Sequence, residues 1–459
     1  MAACRWLRQC RRWSANCTST GLLDTSRHFN GRSGPPPSAS SAGRTSWSPG
    51  PGSEGQLSAQ PTHLKTFNPP TSLPGHTSRL LTPTLQCCRR RHHLHTDVKL
   101  KDPYTLAEKD LTNLYDDIRK ELFVSKEELK SLCDYYFDGK GKAIRPMIVI
   151  LMARALNAHS NRSGDLLPGQ RTIAMIAEMI HTASLVHDDV IDGSGQRRGK
   201  RTINELWGEK KAILAGDFIL STASMAMARI GDNDVVKVMS QVMEDLVRGE
   251  FMQLGSKENA NERFKHYLEK TFKKTASLIA NSCKAVCVQV SSDPDVHEIA
   301  YKYGENIGIA FQLVDDVLDF TSGVSHLGKP SAADLKLGLA TGPVLFACQQ
   351  FPELHAMIMR RFSSKGDIDR AWQFVLQLSS SKCSNAPGGV RLAAEEMKIL
   401  NEDYNDLLLL LLQSDGVQQT KFLARRYCDE AVRQISMLRP SAERDALIRV
   451  TEMVLTRDK

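Results

Sequence analysis

The chain has 459 residues, with 60 Lys+Arg against 52 Asp+Glu for a net charge of +8. The excess is confined to residues 1–95, which carry 12 basic and two acidic side chains, so the rest of the chain sits at −2. A near-neutral body argues against a nucleic-acid partner. No stretch reaches the ~18 to 20 consecutive apolar residues of a membrane span; the longest pure run is Met147–Ala153.

Residues 1–95 read as a leader. They are rich in Arg, Ser and Thr, hold only Asp24 and Glu54 as acids, and contain 10 of the 19 prolines. Within Met1–Ser14, Arg5, Arg8, Arg11 and Arg12 are interleaved with Trp6, Leu7 and Trp13, so a helix there would carry a cationic and an apolar face. This is the composition of an organelle transit peptide. It lacks the continuous apolar core of a secretory signal, which disfavours export. From Gly31 to Pro83 the Pro, Gly and Ser content is too high, and the apolar content too low, to bury a core. The expectation is import to the mitochondrial matrix with cleavage before about Thr96.

From residue 96 to 459 the chain reads as one large all-α domain. Gly139–Pro146 comes first, bearing Lys142 and Arg145, with Pro146 placed to open a helix. Periodicity of three and four residues then predicts helices over Arg171–Asp192, Ile213–Ile230, Val235–Leu254, Phe264–Val288, Val296–Phe320 and Gly342–Phe351. Asn161–Pro168, Gly231–Asp234 and Ser291–Pro294 are polar breaks between them. No short fixed repeat is present, so a helical bundle follows. Of the six body cysteines, only Cys283 and Cys287 are close in sequence. One i, i+4 pair is neither a four-ligand zinc site nor a disulfide framework, and they read as free thiols in a reducing compartment.

Two of the helices end alike. Leu185-Val-His-Asp-Asp-Val-Ile-Asp192 and Gln312-Leu-Val-Asp-Asp-Val-Leu-Asp319 each close an apolar helix with D-D-x-x-D. On a helix, positions i and i+4 share a face, so Asp188 projects with Asp192 and Asp315 with Asp319. Like charges so placed repel, and a cation must offset the cost. Hard oxygen donors suit Mg²⁺, which commonly bridges carboxylates to substrate phosphates. One triplet alone reads as a solvated helix end; two in otherwise apolar sequence do not. Basic groups stand nearby in sequence: Arg197 and Arg198 after the first motif, Lys273-Lys274-Thr275 between the motifs, and Lys329 after the second. Such groups hold phosphate oxygens, Arg bidentately.

With these motifs the chain resembles the trans-isoprenyl diphosphate synthases, over nearly all of Asp97–Lys459. Ile180–Asp192, Arg248–Gly255 and Asp334–Gly342 look like the mitochondrial decaprenyl/solanesyl branch in its first-subunit form, which makes the ubiquinone side chain. The resemblance implies a helical bundle of the isoprenoid synthase type. It implies a transferase that condenses isopentenyl diphosphate onto farnesyl or geranylgeranyl diphosphate, giving an all-trans product of about C45 to C50. It implies Mg²⁺ on Asp188, Asp192 and Asp315, with Asp189, Asp316 and Asp319 completing the catalytic clusters. Lys142, Arg145, His181 and Arg198 match positions that grip isopentenyl diphosphate. Arg197, Lys274, Thr275, Gln312 and Lys329 match those around the allylic diphosphate. His181 is expected to anchor substrate and His187 to pack, rather than to act as bases. Ala183, about 1.4 turns before Asp188, and its neighbour Ser184 leave a path for a long product. A second, related subunit forming a heterotetramer is implied, as is peripheral contact with the inner membrane for product release.

Two departures stand out. The loop Gly193–Gln196 is less acidic than the pattern. Residues 378–413 interrupt an otherwise continuous match and read as an insertion, whose second half could form an amphipathic helix. A class I terpene cyclase is the alternative enzyme, but its second metal motif is of mixed Asn/Ser/Glu type, and aromatics here are sparse at 6%. A non-catalytic partner subunit is the other alternative; its carboxylates would typically be lost, and here both sets are complete.

Overall fold

The computed structural model describes residues 102–123, 127–139, 141–197, 199–255, 259–321, 332–376 and 415–457. The leader, Arg198, Lys329 and the interruption at 378–413 lie outside them. Among the described residues the chain is helical except for one small hairpin.

The first helices are α1 (Pro103–Leu111), α2 (Leu114–Glu121) and α3 (Glu127–Tyr136). Pro103 opens α1, and the Asp102 carboxylate accepts from the Thr105 amide at 3.1 Å, so one otherwise orphaned donor is capped. Helix α4 (Ile144–His159) is predominantly apolar and largely buried, as expected of a core helix. Then come α5 (Pro168–Ile191), a hairpin of β1 (Gln196–Arg197) with β2 (Lys200–Arg201), α6 (Ile203–Trp207), α7 (Glu209–Arg229) and α8 (Asn233–Leu254). The predicted loop after the first motif therefore folds back as a two-stranded ribbon, with Gly199 at φ +77° in its turn.

The segment predicted as one helix over Phe264–Val288 is three: α9 (Ala260–Thr271), a π-helical turn (Phe272–Ala276) and α10 (Ser277–Val288). The widened turn carries Lys273, Lys274 and Thr275; π-bulges recur at functional sites because they re-aim side chains. Helix α11 (Pro294–Thr321) follows, then α12 (Ala333–Lys336), α13 (Gly342–Gln350), α14 (Glu353–Met359), α15 (Asp367–Leu376), α16 (Gly416–Ile435) and α17 (Ala442–Thr456).

The long helix α11 forms the axis, packed along α10 on one side and α16 on another, while α5 lies against α7. The α10–α11 crossing depends on two glycines. A Cβ on Gly304 would lie 2.6 Å from the Ala280 Cα, and one on Gly308 would lie 2.5 Å from the Ala276 Cα. Tyr303, fully buried, donates to the Leu447 carbonyl at 2.9 Å and ties α17 to this axis. His187 packs as expected: its ring fills the notch at Gly216, with Nε2 3.2 Å from the Ile213 carbonyl.

By length and composition α7 is apolar enough to cross a membrane, which the sequence reading did not anticipate. Its inner face, including Ala215, Ile219 and Ala223, is buried, whereas Leu214 and Met225 are more than 60% exposed. The five described cysteines are free and buried, consistent with packed thiols.

Candidate active site

The helix geometry divides each D-D-x-x-D into two kinds of carboxylate. In the first motif, Asp189 points inward and is only 1% exposed. It accepts from the Tyr136 hydroxyl at 2.8 Å and from Arg197 Nε at 2.7 Å. Arg197 thus locks the hairpin onto the end of α5. Asp188 and Asp192, one turn apart, face the other way. Burial pushes the Asp188 carboxyl up to about 7, with Lys274 opposing and Glu250 reinforcing the shift. Burial also raises Asp192, again with Lys274 opposing and Glu250 reinforcing.

The second motif divides differently, with two carboxylates held and one left outward. Asp316 is buried and held by the Tyr267 hydroxyl, by Gln312 Nε2 at 2.9 Å and by the Gly342 amide at 3.4 Å. Asp319 accepts from the Ala333 and Asp334 amides at 3.0 and 3.1 Å, so it caps α12. Asp315 remains outward, its side chain 43% exposed and paired with Arg457 at 2.7 Å. Of the six catalytic candidates, Asp189, Asp316 and Asp319 each accept from two or more protein donors, whereas Asp315 pairs with Arg457 and Asp188 meets Glu250. Asp188, Asp192 and Asp315 present oxygens to the site.

Between the clusters runs a file of cations. Lys274 is held by Glu250 at 2.5 Å and Gln253 at 2.9 Å. Thr275 donates to Gln312 Oε1 at 2.8 Å, which leaves the Gln312 amide free to hold Asp316. Lys273 turns away to buried Asp245 at 3.1 Å, where Ser277 also donates, so it serves the scaffold. Burial lowers the Lys270 ammonium one turn earlier, with Asp316, Asp334 and Glu250 opposing and Lys274 reinforcing the shift. Asp334 is itself pushed up to about 8, by burial and then by Asp316 and Asp319.

On the far side, Arg145 NH1 lies 2.9 Å from His181 Nε2. Its guanidinium and that of Arg457 share the Phe311 ring, at 5.9 and 3.7 Å from the centroid. Both cations bear on Asp315, whose pKa burial raises and they oppose. Lys142 stands exposed just before Ala143, whose left-handed backbone (φ +47°) turns the chain into α4. Ala183 is fully buried on α5, and the Ser184 hydroxyl is turned back onto the His181 carbonyl at 2.8 Å.

Among the described residues no three acidic, His or Cys side chains lie close enough together to enclose a metal by themselves. The outward carboxylates nonetheless fit a hard divalent ion shared with a phosphate ligand. Asp188, Asp192 and Glu250 crowd negative charge at one place, which burial and mutual repulsion penalise and a cation would relieve.

Several site residues carry no spacing signal. Tyr136, Tyr267, Lys270 and Arg457 arrive from distant helices as isolated residues. Glu250, Gln253 and Asp334 lie inside the stretches Arg248–Gly255 and Asp334–Gly342, whose resemblance to the family was the available signal.

The Polyprenyl synthetase family pattern matches residues 126–375. The chain is 62% identical over 380 residues to human all-trans-polyprenyl-diphosphate synthase PDSS1, covering 81% of this chain and 83% of that one. It is 39% identical over 379 residues to decaprenyl-diphosphate synthase subunit 1 of Schizosaccharomyces pombe, covering 77% and 91%. In structure it is similar to a polyprenyl synthase from Caulobacter crescentus solved with calcium and isoprenyl diphosphate. There the TM-score is 0.62 and the identity 26%, over 78% of this chain and 97% of that one.

Proposed function

We propose, for a chain that belongs to the polyprenyl synthetase family, that the two halves of this site perform successive additions of a C5 unit to an allylic diphosphate. The chain is a transferase, a long-chain all-trans-polyprenyl diphosphate synthase. The observation that carries the assignment of roles is the division of its charges. Asp188 and Asp192 face Lys274, while Asp315 faces Arg145 and Arg457. Two separate cationic places beside two acidic ones suit two diphosphates held at once.

In this reading the allylic diphosphate lies against Lys274, Thr275, Gln312 and Arg197, and Lys329, outside the described residues, is assigned to the same diphosphate by the family resemblance. Asp188, Asp192 and Asp315 would hold Mg²⁺; when bound, it supplies charge neutralisation of the departing diphosphate. Lys274 adds to that neutralisation at a fixed position, since Glu250 and Gln253 hold its ammonium before substrate arrives. Isopentenyl diphosphate lies against Lys142, Arg145, His181 and Arg198, and Arg145 is pre-aimed by its contact with His181. The allylic C–O bond ionises, the isopentenyl double bond attacks the cation, and loss of a proton leaves an allylic diphosphate five carbons longer. The departing diphosphate is the base this arrangement favours, because His181 is already engaged by Arg145. The growing chain runs past Ala183 and Ser184, which lack the bulk to stop it.

Three further parts belong to the same proposal. The exposed apolar face of α7, with Leu214 and Met225, is surplus for a monomer and supports a second related subunit in a heterotetramer. The basic, acid-poor leader supports delivery to the mitochondrial matrix, with 96–459 as the synthase domain and 378–413 as an insertion within it. Release of so apolar a product favours peripheral contact with the inner membrane.

The test is incubation of the chain with farnesyl or geranylgeranyl diphosphate, labelled isopentenyl diphosphate and Mg²⁺, with and without the second subunit. Labelled product of about C45 to C50 is expected. Its absence in both arms refutes the reading, and activity only with the partner identifies an obligate heteromer. Deletion of residues 1–95 is expected to abolish mitochondrial residence on fractionation; retention refutes the leader's role.

A further inference from the structure

The π-helical turn at Phe272–Ala276 is held from behind by one buried carboxylate. Asp245, on α8, accepts through Oδ1 from the Lys273 ammonium at 3.1 Å and through Oδ2 from the Ser277 hydroxyl at 2.6 Å. Lys273 is the second residue of the turn, and Ser277 is the first residue after it. Between them in sequence stand only Lys274, Thr275 and Ala276. The first two are the residues assigned above to the allylic diphosphate. One side chain therefore brackets the segment from which the site draws a cation and a hydroxyl.

The bracket is itself braced. Gln241, one turn before Asp245 on α8, donates from Nε2 to Asp245 Oδ1 at 3.3 Å. Asn281, one turn along α10, donates from Nδ2 to the Ser277 hydroxyl oxygen at 3.0 Å and to the Ser277 carbonyl at 2.9 Å. The hydroxyl proton of Ser277 is thereby committed to Asp245. Asp245, Ser277 and Asn281 are all buried. Stability alone does not call for such a group. A buried ion pair can often be exchanged for apolar residues of similar volume without loss, because desolvation of the two charges offsets their attraction.

Position does call for it. A small rotation of the turn about its own axis would swing a long side chain off line, and a misplacement of about 1 Å in a positioned group can cost about 100-fold in rate. Fastening Lys273 and Ser277 to α8 fixes that rotation, so the next side chain round the turn, Lys274, has one direction. Its stem crosses α8 at Gly249, one turn after Asp245, where a Cβ would lie 2.7 Å from Lys274 Cγ. Glu250 and Gln253 hold the Lys274 ammonium, and Gln312 holds the Thr275 hydroxyl. Those contacts act on the side-chain tips, whereas Asp245 acts on the turn that carries both.

We propose that Asp245 is a positioning residue for the allylic half of the site: by holding Lys273 and Ser277 it sets the rotation of the π turn, and through it the aim of Lys274 and Thr275. Asp245 itself touches no substrate. The roles given to Lys274 and Thr275 rest on the polyprenyl synthase reading; the bracket stands on its own geometry.

The test compares the full chain with three variants: the double Asp245→Leu/Lys273→Met, Ser277→Ala and Tyr303→Phe. The double variant puts apolar side chains in place of the ion pair. Tyr303→Phe removes the buried hydrogen bond to the Leu447 carbonyl and reports what destabilisation alone does. Each is measured by thermal unfolding, by KM for farnesyl and for isopentenyl diphosphate, and by calorimetric titration of inorganic pyrophosphate with Mg²⁺. The double variant is expected to unfold at or above the parent's Tm, yet to raise KM for farnesyl diphosphate roughly tenfold or more. KM for isopentenyl diphosphate is expected to stay within about threefold, and pyrophosphate affinity at one site to fall roughly tenfold or more. Ser277→Ala, which leaves the ion pair in place, is expected to shift the same quantities by a smaller factor, and it decides the question if the double variant does not fold. Tyr303→Phe is expected to lower Tm and leave both KM values unchanged. Parental KM values in the double variant, equal rises for both substrates, or a Tyr303→Phe chain that loses the same affinity overturns the proposal. So does pyrophosphate binding that no variant changes. A parent chain that makes no polyprenyl product, but whose pyrophosphate binding still depends on Asp245, would instead sink the catalytic reading alone.

Discussion

Gly249 touches no substrate, yet its replacement by alanine is expected to damage catalysis more than stability. In α8 it faces the π-helical turn, and a Cβ there would lie 2.7 Å from Lys274 Cγ, 3.2 Å from Lys273 Cβ and 3.3 Å from the Lys274 amide nitrogen. Carbon atoms settle about 3.5 to 4.0 Å apart, so Lys274 must retreat by roughly 1 Å. Overpacking of this kind costs about 1 to 3 kcal/mol, and the helix propensity of Ala over Gly returns about 1 kcal/mol. The net loss of stability should therefore fall between nothing and about 2 kcal/mol. The functional loss should be larger, because a misplacement of about 1 Å in a positioned group can cost about 100-fold in rate, and Lys274 is the cation that faces both Asp188 and Asp192. The assay is thermal unfolding alongside incorporation of labelled isopentenyl diphosphate, with Gly164→Ala as the control. Gly164 has nothing within 4 Å of a built Cβ and should behave as the parent. A Gly249→Ala protein with full turnover and a raised Tm would refute the idea that the close approach of α8 sets the aim of Lys274.

Other expected outcomes follow from the same contacts. Ala183→Phe should shorten the main product while costing about 1 to 3 kcal/mol of stability from overpacking; unchanged product length on chromatography would refute the path past α5. Arg457→Met removes the cation paired with Asp315 at 2.7 Å and close to Arg145. One charge-assisted hydrogen bond is worth about 1.5 to 3 kcal/mol, so KM for isopentenyl diphosphate should rise roughly 10- to 100-fold, with KM for the allylic substrate little changed; equal effects on both would remove Arg457 from that half of the site. Gly304→Val should abolish soluble expression, because its Cβ meets α10 backbone rather than a movable side chain; a folded, active variant would show that the α10–α11 crossing can widen.

The long helices were legible because their apolar faces repeat over five turns or more, and observed ends differ from the predicted ones by only a few residues. Val235–Leu254 against Asn233–Leu254 is typical. The division of labour within each motif was less so. Periodicity places Asp188 with Asp192, but nothing local says that Asp189 will meet Tyr136, 53 positions earlier. The π turn was invisible for a related reason: it packs against Gly249, which lies on another helix. The hairpin at 196–201 was hidden because two residues per strand are too few to alternate. Lys270 and Arg457 are single cations whose meaning depends on which carboxylates they meet, and only tertiary structure supplies that. Resemblance, by contrast, had already marked the stretches holding Glu250 and Asp334.

Each D-D-x-x-D therefore has two jobs that a helix can separate. Successive residues are turned about 100° apart on a helix of 3.6 residues per turn, so the first aspartate looks outward, joined by the last in the first motif only, while the middle one must look elsewhere; in the second motif the last, Asp319, caps α12 instead. The chain uses that middle carboxylate as an anchor: Asp189 fastens the hairpin through Arg197, and Asp316 fastens α9 and the start of α13 through Tyr267 and Gly342. The two variants Asp188→Asn and Asp189→Asn should consequently separate in opposite directions. Asp188→Asn removes a charge that burial and Glu250 already disfavour, so it should leave stability equal or higher while turnover falls by orders of magnitude, as replacement of a strained functional charge commonly does. Asp189→Asn strips a buried carboxylate from Arg197, whose side chain is 28% exposed. The partial exposure lowers the usual penalty for an orphaned partner to about 1 to 3 kcal/mol, and activity should be lost because the hairpin loosens. Thermal unfolding of the two proteins side by side decides the matter. If both lose the same stability, the anchor is not Asp189 alone, and the inward and outward carboxylates do not hold the separate roles that the helix geometry assigns them.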